Sequence, residues 1–131
     1  MPYVSVGNFN LYYEEQGSGP PIIFLHGFTL DRRQWSAVPE ALRDNYRVIL
    51  MDARGHGLSD APATGYSRAP RVEDLVRFVE AMDLPAFHLV GLSMGGSTAI
   101  AYALSHQERL VSVTLVSSSA AGWNVGKRMK R

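Results

Sequence analysis

The sequence predicts an α/β fold, a mostly parallel sheet with helices on both faces, and three observations carry that expectation. First, residues 22–25, 47–51, 87–90 and 110–116 are short, almost wholly apolar runs, the pattern of strands buried on both faces of a parallel sheet. Second, stretches of helical periodicity or turn-rich composition lie between them, the alternation that crossover connections require. Third, residues 87–96 run from an apolar strand through Gly91-Leu92-Ser93-Met94-Gly95 into the start of a helix. The chain has 131 residues, 46% hydrophobic and 19% charged, which suits one domain with a substantial core.

Residues 2–6 and 10–16 are aromatic and β-branched runs around Gly7-Asn8 and read as a β-hairpin. Gly17-Ser18-Gly19-Pro20-Pro21 is a hard break before the first buried strand, which ends in His26-Gly27-Phe28. Asp31 is placed to cap a helix through Trp35, Val38 and Leu42 to about Asp44, shortened or kinked by Pro39. The strand 47–51 leads into Asp52-Ala53-Arg54-Gly55-His56-Gly57-Leu58-Ser59-Asp60, a turn-rich loop. Pro70 suits the first turn of a helix, and Val72, Leu75, Val76 and Val79 form one apolar stripe at i, i+3, i+4 and i+7. Leu84-Pro85 ends that helix, and residues 97–105, rich in alanine and leucine, form the helix after the serine turn. The expected architecture is an N-terminal hairpin plus four further strands.

Composition excludes several functions. The absence of cysteine removes disulfides and thiolate metal sites, no paired-histidine spacing suggests a metal, and no cofactor is expected. No apolar run approaches the ~20 residues of a membrane span, and the N-terminus lacks a signal peptide's pattern, so the expected location is cytoplasmic, without membrane association. The tail Lys127-Arg128-Met129-Lys130-Arg131 holds four of the 13 basic residues, leaving 9 basic against 12 acidic residues in the body. It reads as a solvated, disordered end over 123–131, and with no basic stripe and interleaved aromatics elsewhere, nucleic acid is not an expected partner. A nucleotide-binding Gly-x-Gly-x-x-Gly or Walker loop is also missing.

Strand–Gly-x-Ser-x-Gly–helix describes a sharp turn that lifts Ser93 above the end of a sheet, on a strained backbone. Gly91 and Gly95 fit because the strand and helix backbones crowd one another there. Taken with strand–His26-Gly27-Phe28 and strand–Asp52-x-Arg54-Gly55-His56-Gly57-x-Ser59, this motif resembles the first half of an α/β-hydrolase. The likeness covers roughly residues 3–122 and is nearest the branch of enol-lactone hydrolases, carbon–carbon bond hydrolases, cofactor-free haloperoxidases and small esterases. It implies a partial hydrolase core over 1–122, with a cap domain expected to begin near Ala120-Ala121-Gly122-Trp123 and the last strands of the fold lacking.

The resemblance also implies roles. Ser93 is the expected nucleophile on an ester, lactone or related small-molecule carbonyl substrate, and the backbone N–H groups of Phe28 and Met94 are the expected oxyanion donors. His26, Gly27, Gly91, Gly95 and Gly96 support them. In the family an acid and then a histidine follow the serine, but here no Asp or Glu follows Glu108 and the only later histidine is His106. At ~1.5 Å per helical residue His106 lies roughly 20 Å from Ser93, so it is not the base. His26 reads as a brace of its turn and His88 as a packed or edge residue. His56 is the one surrogate base considered, oriented by Asp52 or Asp60, although a turn-stabilising role for the Asp52–Ser59 loop is the stronger expectation. The alternative function is a non-catalytic core acting as scaffold or small-ligand binder. Leu110–Val116 as an apolar edge strand predicts a homo-oligomer paired through it, or an aggregation-prone fragment.

Overall fold

The computed structural model describes residues 2–117. Those residues form a sheet of six strands in the order β1-β2-β4-β3-β5-β6. The expected tail at 123–131 and the expected cap start at 120–123 lie outside the described residues, as does the end of the expected core at 122.

The hairpin pairs β1 (Tyr3–Ser5) with β2 (Asn10–Gln16) in antiparallel register, Val4 opposite Leu11. β2 then pairs antiparallel with β4 (Arg47–Met51), and everything beyond is parallel: β4 with β3 (Pro21–Leu25), β3 with β5 (Phe87–Leu92), and β5 with β6 (Leu110–Val116). Leu25 sits opposite both Met51 and Gly91, so three strands end level and deliver three loops to one edge. β3 is buried at every position and β4 at all but Arg47, as their unbroken apolar runs predict.

Helices cover both faces. On one, α2 (Arg68–Ala81) and α3 (Met94–Ser105) close a core of Leu11, Ile23, Ile49, Leu75, Phe78, Phe87 and Leu89. On the other, Trp35, Val38 and Leu42 pack on Ile22, Phe24, Val48 and Leu50. The single helix expected from Asp31 to Asp44 is instead two pieces, a 3₁₀ turn at Arg32–Trp35 and the short α1 at Val38–Leu42. Pro39 gives the reason: its ring would strike the carbonyl four residues back, so it is accommodated only in the first turn of a new helix. Asp31 does cap the first piece, accepting the Arg33 N–H at 2.9 Å.

The buried face of α2 is centred on Leu75, Phe78 and Val79, while Val72 and Val76 of the expected stripe are half-buried at its border. Asp74 is buried on the same helix. Among the described helices none is long and apolar enough to cross a membrane.

Candidate active site

The turn after β5 is as tight as its glycines suggest. A Cβ on Gly91 would strike the Gly95 carbonyl and come within 2.7 Å of the Gly96 nitrogen. A Cβ on Gly95 would strike the Leu25 carbonyl and lie 2.8 Å from that of His26. Between them Ser93 has φ 52° and ψ −108°, outside the αR, β and αL regions open to a side-chain-bearing residue. The Ser93 N–H donates to the Val116 carbonyl at 3.2 Å and its own carbonyl accepts the Ser97 N–H at 3.0 Å, so the residue is held between β6 and the first turn of α3. Ser93 is exposed at the sheet edge.

The loop after β3 lies beside it. His26 is buried, and its Nε2 accepts the Ala53 N–H at 3.0 Å. That assigns the ring proton to Nδ1, which donates to the Gly27 carbonyl at 2.8 Å. Burial pushes the His26 imidazole below its ordinary range, which favours the neutral ring those two bonds describe. The Gly27 N–H donates to Gln34 Oε1 at 3.0 Å. Phe28 N–H and Met94 N–H have no acceptor among the described residues. Two backbone donors left open beside a raised serine are the groups able to hold a developing negative charge.

The loop 52–60 is built on Asp52, whose side chain is fully buried. The carboxylate accepts the Arg32 N–H at 2.7 Å, Arg32 Nη1 at 2.8 Å and the Leu58 N–H at 3.0 Å. Ser59 Oγ donates to the Asp52 carbonyl at 2.7 Å and accepts the Tyr12 N–H at 2.8 Å, tying the loop to β2. Gly57 turns at φ 52°, against the Asp52 carboxylate, where a Cβ would overlap it. Arg54 forms a two-pronged ion pair with Asp74 of α2, both contacts 2.7 Å.

His56 sits on this loop, but neither Asp52 nor Asp60 bonds it, as the surrogate-base alternative would need. Its Nδ1 faces the Arg54 carbonyl at 2.9 Å, and its Nε2 is 3.4 Å from the Thr29 N–H. Asp52 is saturated by Arg32 and Leu58, and Asp60 accepts the Asn10 N–H at 2.8 Å. The ring lies 5.1 Å from that of His26 and 5.8 Å from that of Phe28, bridging the two loops. His88 bonds Ser112 Oγ at 2.7 Å, its ring nearly perpendicular to that of Tyr46, and His106 caps the far end of α3, stacked on Tyr102.

Three residues here escape sequence reasoning. Thr29 has φ 65°, a strained value for a β-branched side chain, directly after Phe28. Gln34 fixes Gly27 from seven residues along the chain. Arg71 reaches from α2 to Thr98 Oγ1 of α3 at 3.0 Å. No local pattern marks any of them, because each acts through a contact distant in sequence or a loop torsion.

A parallel sheet whose strand ends present a strained serine beside open backbone donors defines a hydrolase-type scaffold. The chain belongs to the α/β hydrolase fold family, whose model matches residues 20–130. A putative non-heme chloroperoxidase of Synechocystis is 41% identical over 108 residues, covering 78% of this chain and 39% of that protein. The esterase EaEST of Exiguobacterium antarcticum superposes with a TM-score of 0.81 at 36% identity, covering 86% of this chain and 42% of that one. Est816, described as an N-acyl homoserine lactone degrading enzyme, gives a TM-score of 0.85 at 36% identity, with 89% and 45% covered. The chain therefore spans about two-fifths of the length of the relatives it matches.

Proposed function

We propose that Ser93 is the nucleophile of an acyl-transfer site for esters, lactones or related carbonyl compounds, with Phe28 and Met94 N–H as the oxyanion hole. The observation that supports this most is the Ser93 backbone at φ 52° and ψ −108°, held where β5 meets α3. Such strain persists where the surrounding structure enforces it, and here it lifts a hydroxyl beside two open donors. Ser93 Oγ adds to the carbonyl carbon as its proton passes to the base or to water, and the carbonyl oxygen takes the negative charge between the two N–H groups. Collapse returns that proton to the departing alcohol or ring-opened lactone oxygen, and water then releases the acyl group from Ser93. One donor of this kind is worth about 2.7–4 kcal/mol of transition-state stabilisation. The α3 N-terminus adds its dipole to the same point.

The base and its orienting acid belong to residues outside this sequence, in a longer polypeptide or a partner chain. His26 is engaged with Ala53 and Gly27, His56 with Arg54 and Thr29, and no carboxylate follows Glu108. Without a base, an oxyanion hole and binding still give ~10³–10⁴-fold over water. Hydrolysis of p-nitrophenyl acetate tests the proposal: turnover should fall in Ser93→Ala to what the oxyanion donors and binding alone sustain, and turnover unaffected by that change would refute it.

The same shortage of a base favours a second reading, a non-catalytic scaffold or small-ligand binder. Ligand binding with no Ser93-dependent turnover would support it. A homo-oligomer through β6 is proposed as well. Val111 and Leu115 there are 57% and 39% exposed, and no described strand pairs with the outer edge. A monodisperse monomer in sedimentation at micromolar concentration would exclude it.

A further inference from the structure

Two imidazoles tie the loop after β3 to the loop after β4, and they do so reciprocally. Each ring donates its Nδ1–H to a carbonyl of its own loop and accepts an N–H of the other loop at Nε2. His26 meets the Gly27 carbonyl at 2.8 Å and the Ala53 N–H at 3.0 Å. His56 meets the Arg54 carbonyl at 2.9 Å and the Thr29 N–H at 3.4 Å. Because its Nδ1 faces a carbonyl, that nitrogen carries the His56 ring proton, which leaves Nε2 as the acceptor for Thr29. Gly27, which His26 braces, is held by Gln34 and Leu30 as well. The Thr29 N–H has its one acceptor among the described residues in His56.

Thr29 is where a hold is needed. The Leu30 N–H closes on the Gly27 carbonyl at 3.2 Å, so Phe28 and Thr29 are the two middle residues of a four-residue turn. Thr29 has φ 65° while that of Phe28 is not positive, the type II arrangement that ordinarily takes glycine in the third place. Rotating the peptide between Phe28 and Thr29 converts a type II turn to type I and returns the β-branched residue to negative φ. His56 accepts the N–H of that same peptide and so opposes the rotation. Its ring also meets the Phe28 ring at 69°, centroids 5.8 Å apart, which steadies the first corner of the turn. An oxyanion donor is effective because it needs no rearrangement as the charge develops. Building on the reading of the Phe28 N–H as such a donor, we infer that His56 is a positioning residue: through Thr29 it keeps this turn in a single form, and so keeps the Phe28 N–H preorganised for the substrate's carbonyl oxygen.

The hold requires a neutral His56. Around the ring stand His26, with centroids 5.1 Å apart, Asp31 held by Arg33, Asp52 held by Arg32, Arg54 held by Asp74, and Asp60 bonded to Asn10. Two measurements on the 131-residue chain test the inference. In the first, NMR follows the Thr29 amide proton of the wild type beside the Cε1–H of His26 and of His56 as the pH is lowered. The amide should move upfield in step with His56, whose protonation removes its acceptor, and should lose that step in His56→Gln. A Thr29 amide that ignores His56, or tracks His26 alone, would overturn the inference. In the second, Ser93-dependent hydrolysis of p-nitrophenyl acetate is compared in His56→Phe, which keeps a ring without the acceptor, and His56→Gln, which keeps an acceptor without the ring. His56→Phe should lower kcat about tenfold with KM within about twofold, a fraction of the loss on removing a donor outright, and His56→Gln should recover part of it. In Thr29→Gly, where glycine holds the positive φ unaided, adding His56→Phe should cost less than about threefold. An unchanged kcat in His56→Phe, or a loss that Thr29→Gly leaves undiminished, would overturn the inference as well. If the Thr29 amide follows His56 but no turnover depends on Ser93, the nucleophile assignment fails and the His56 hold stands.

Discussion

Replacing Ser93 by glycine should stabilise this protein relative to replacing it by alanine. Both changes remove the hydroxyl and whatever it bonds, so their difference isolates the backbone. At φ 52° and ψ −108° an alanine keeps the strain, because its Cβ meets the same clashes as that of serine. A residue forced into such a region costs about 1–3 kcal/mol, and glycine escapes most of it. Glycine gives back about 0.4–1 kcal/mol through the greater freedom of its unfolded chain. The net expectation is about 1 kcal/mol in favour of glycine, which for a domain of this size is roughly 4 °C in Tm. Thermal unfolding of the two variants by circular dichroism, in one buffer and at one concentration, reads it directly. If Ser93→Gly melts at or below Ser93→Ala, the turn is not strained, and its geometry says nothing about function.

Three other expectations follow from the same contacts. Gly95→Ala drives a methyl into the carbonyls of Leu25 and His26 and should cost about 3 kcal/mol or prevent folding; a urea midpoint unchanged from wild type would contradict that packing. Asp74→Asn breaks the two-pronged pair with Arg54, whose side chains are 11% and 7% exposed, and should cost about 3 kcal/mol in urea unfolding, with under 1 kcal/mol pointing to a compensating partner. His26 has its folded pKa below the ordinary value of 6.5, chiefly from burial, so its contribution is fully present above that pH and is lost as pH falls through the lower folded value. Unfolding free energy should therefore decline between pH 7 and 5, and that decline should flatten in His26→Gln; identical slopes in both proteins would mean that His26 is not held neutral by the fold.

Much of this molecule is legible in its sequence because burial speaks through composition. The runs Pro21–Leu25, Arg47–Met51 and Leu110–Val116 appear as strands within about a residue of their apolar stretches, and Asp31 caps where a short polar side chain before a helix should. The Gly91–Gly95 spacing announces the crowding at this turn, where a Cβ on either glycine would strike a backbone carbonyl. What fails is what depends on distant partners. The break at Ser36-Ala37 follows from one proline acting backward on its own helix. Asp52 looks like an orienter for His56 because they share a loop, but the Arg32 backbone and guanidinium, from another element, claim it. Gln34 and Arg71 look like ordinary polar surface until the fold brings Gly27 and Thr98 to them.

The most direct test of Ser93 as a nucleophile is site-resolved labelling with a fluorophosphonate probe, read by intact mass and peptide mapping. The nucleophile assignment predicts one phosphonyl group per chain, on Ser93 alone, slower than in a complete Ser-His-acid site and absent from Ser93→Ala. Saturating probe that leaves Ser93 unmodified, or that spreads over the other serines at comparable rates, would contradict it.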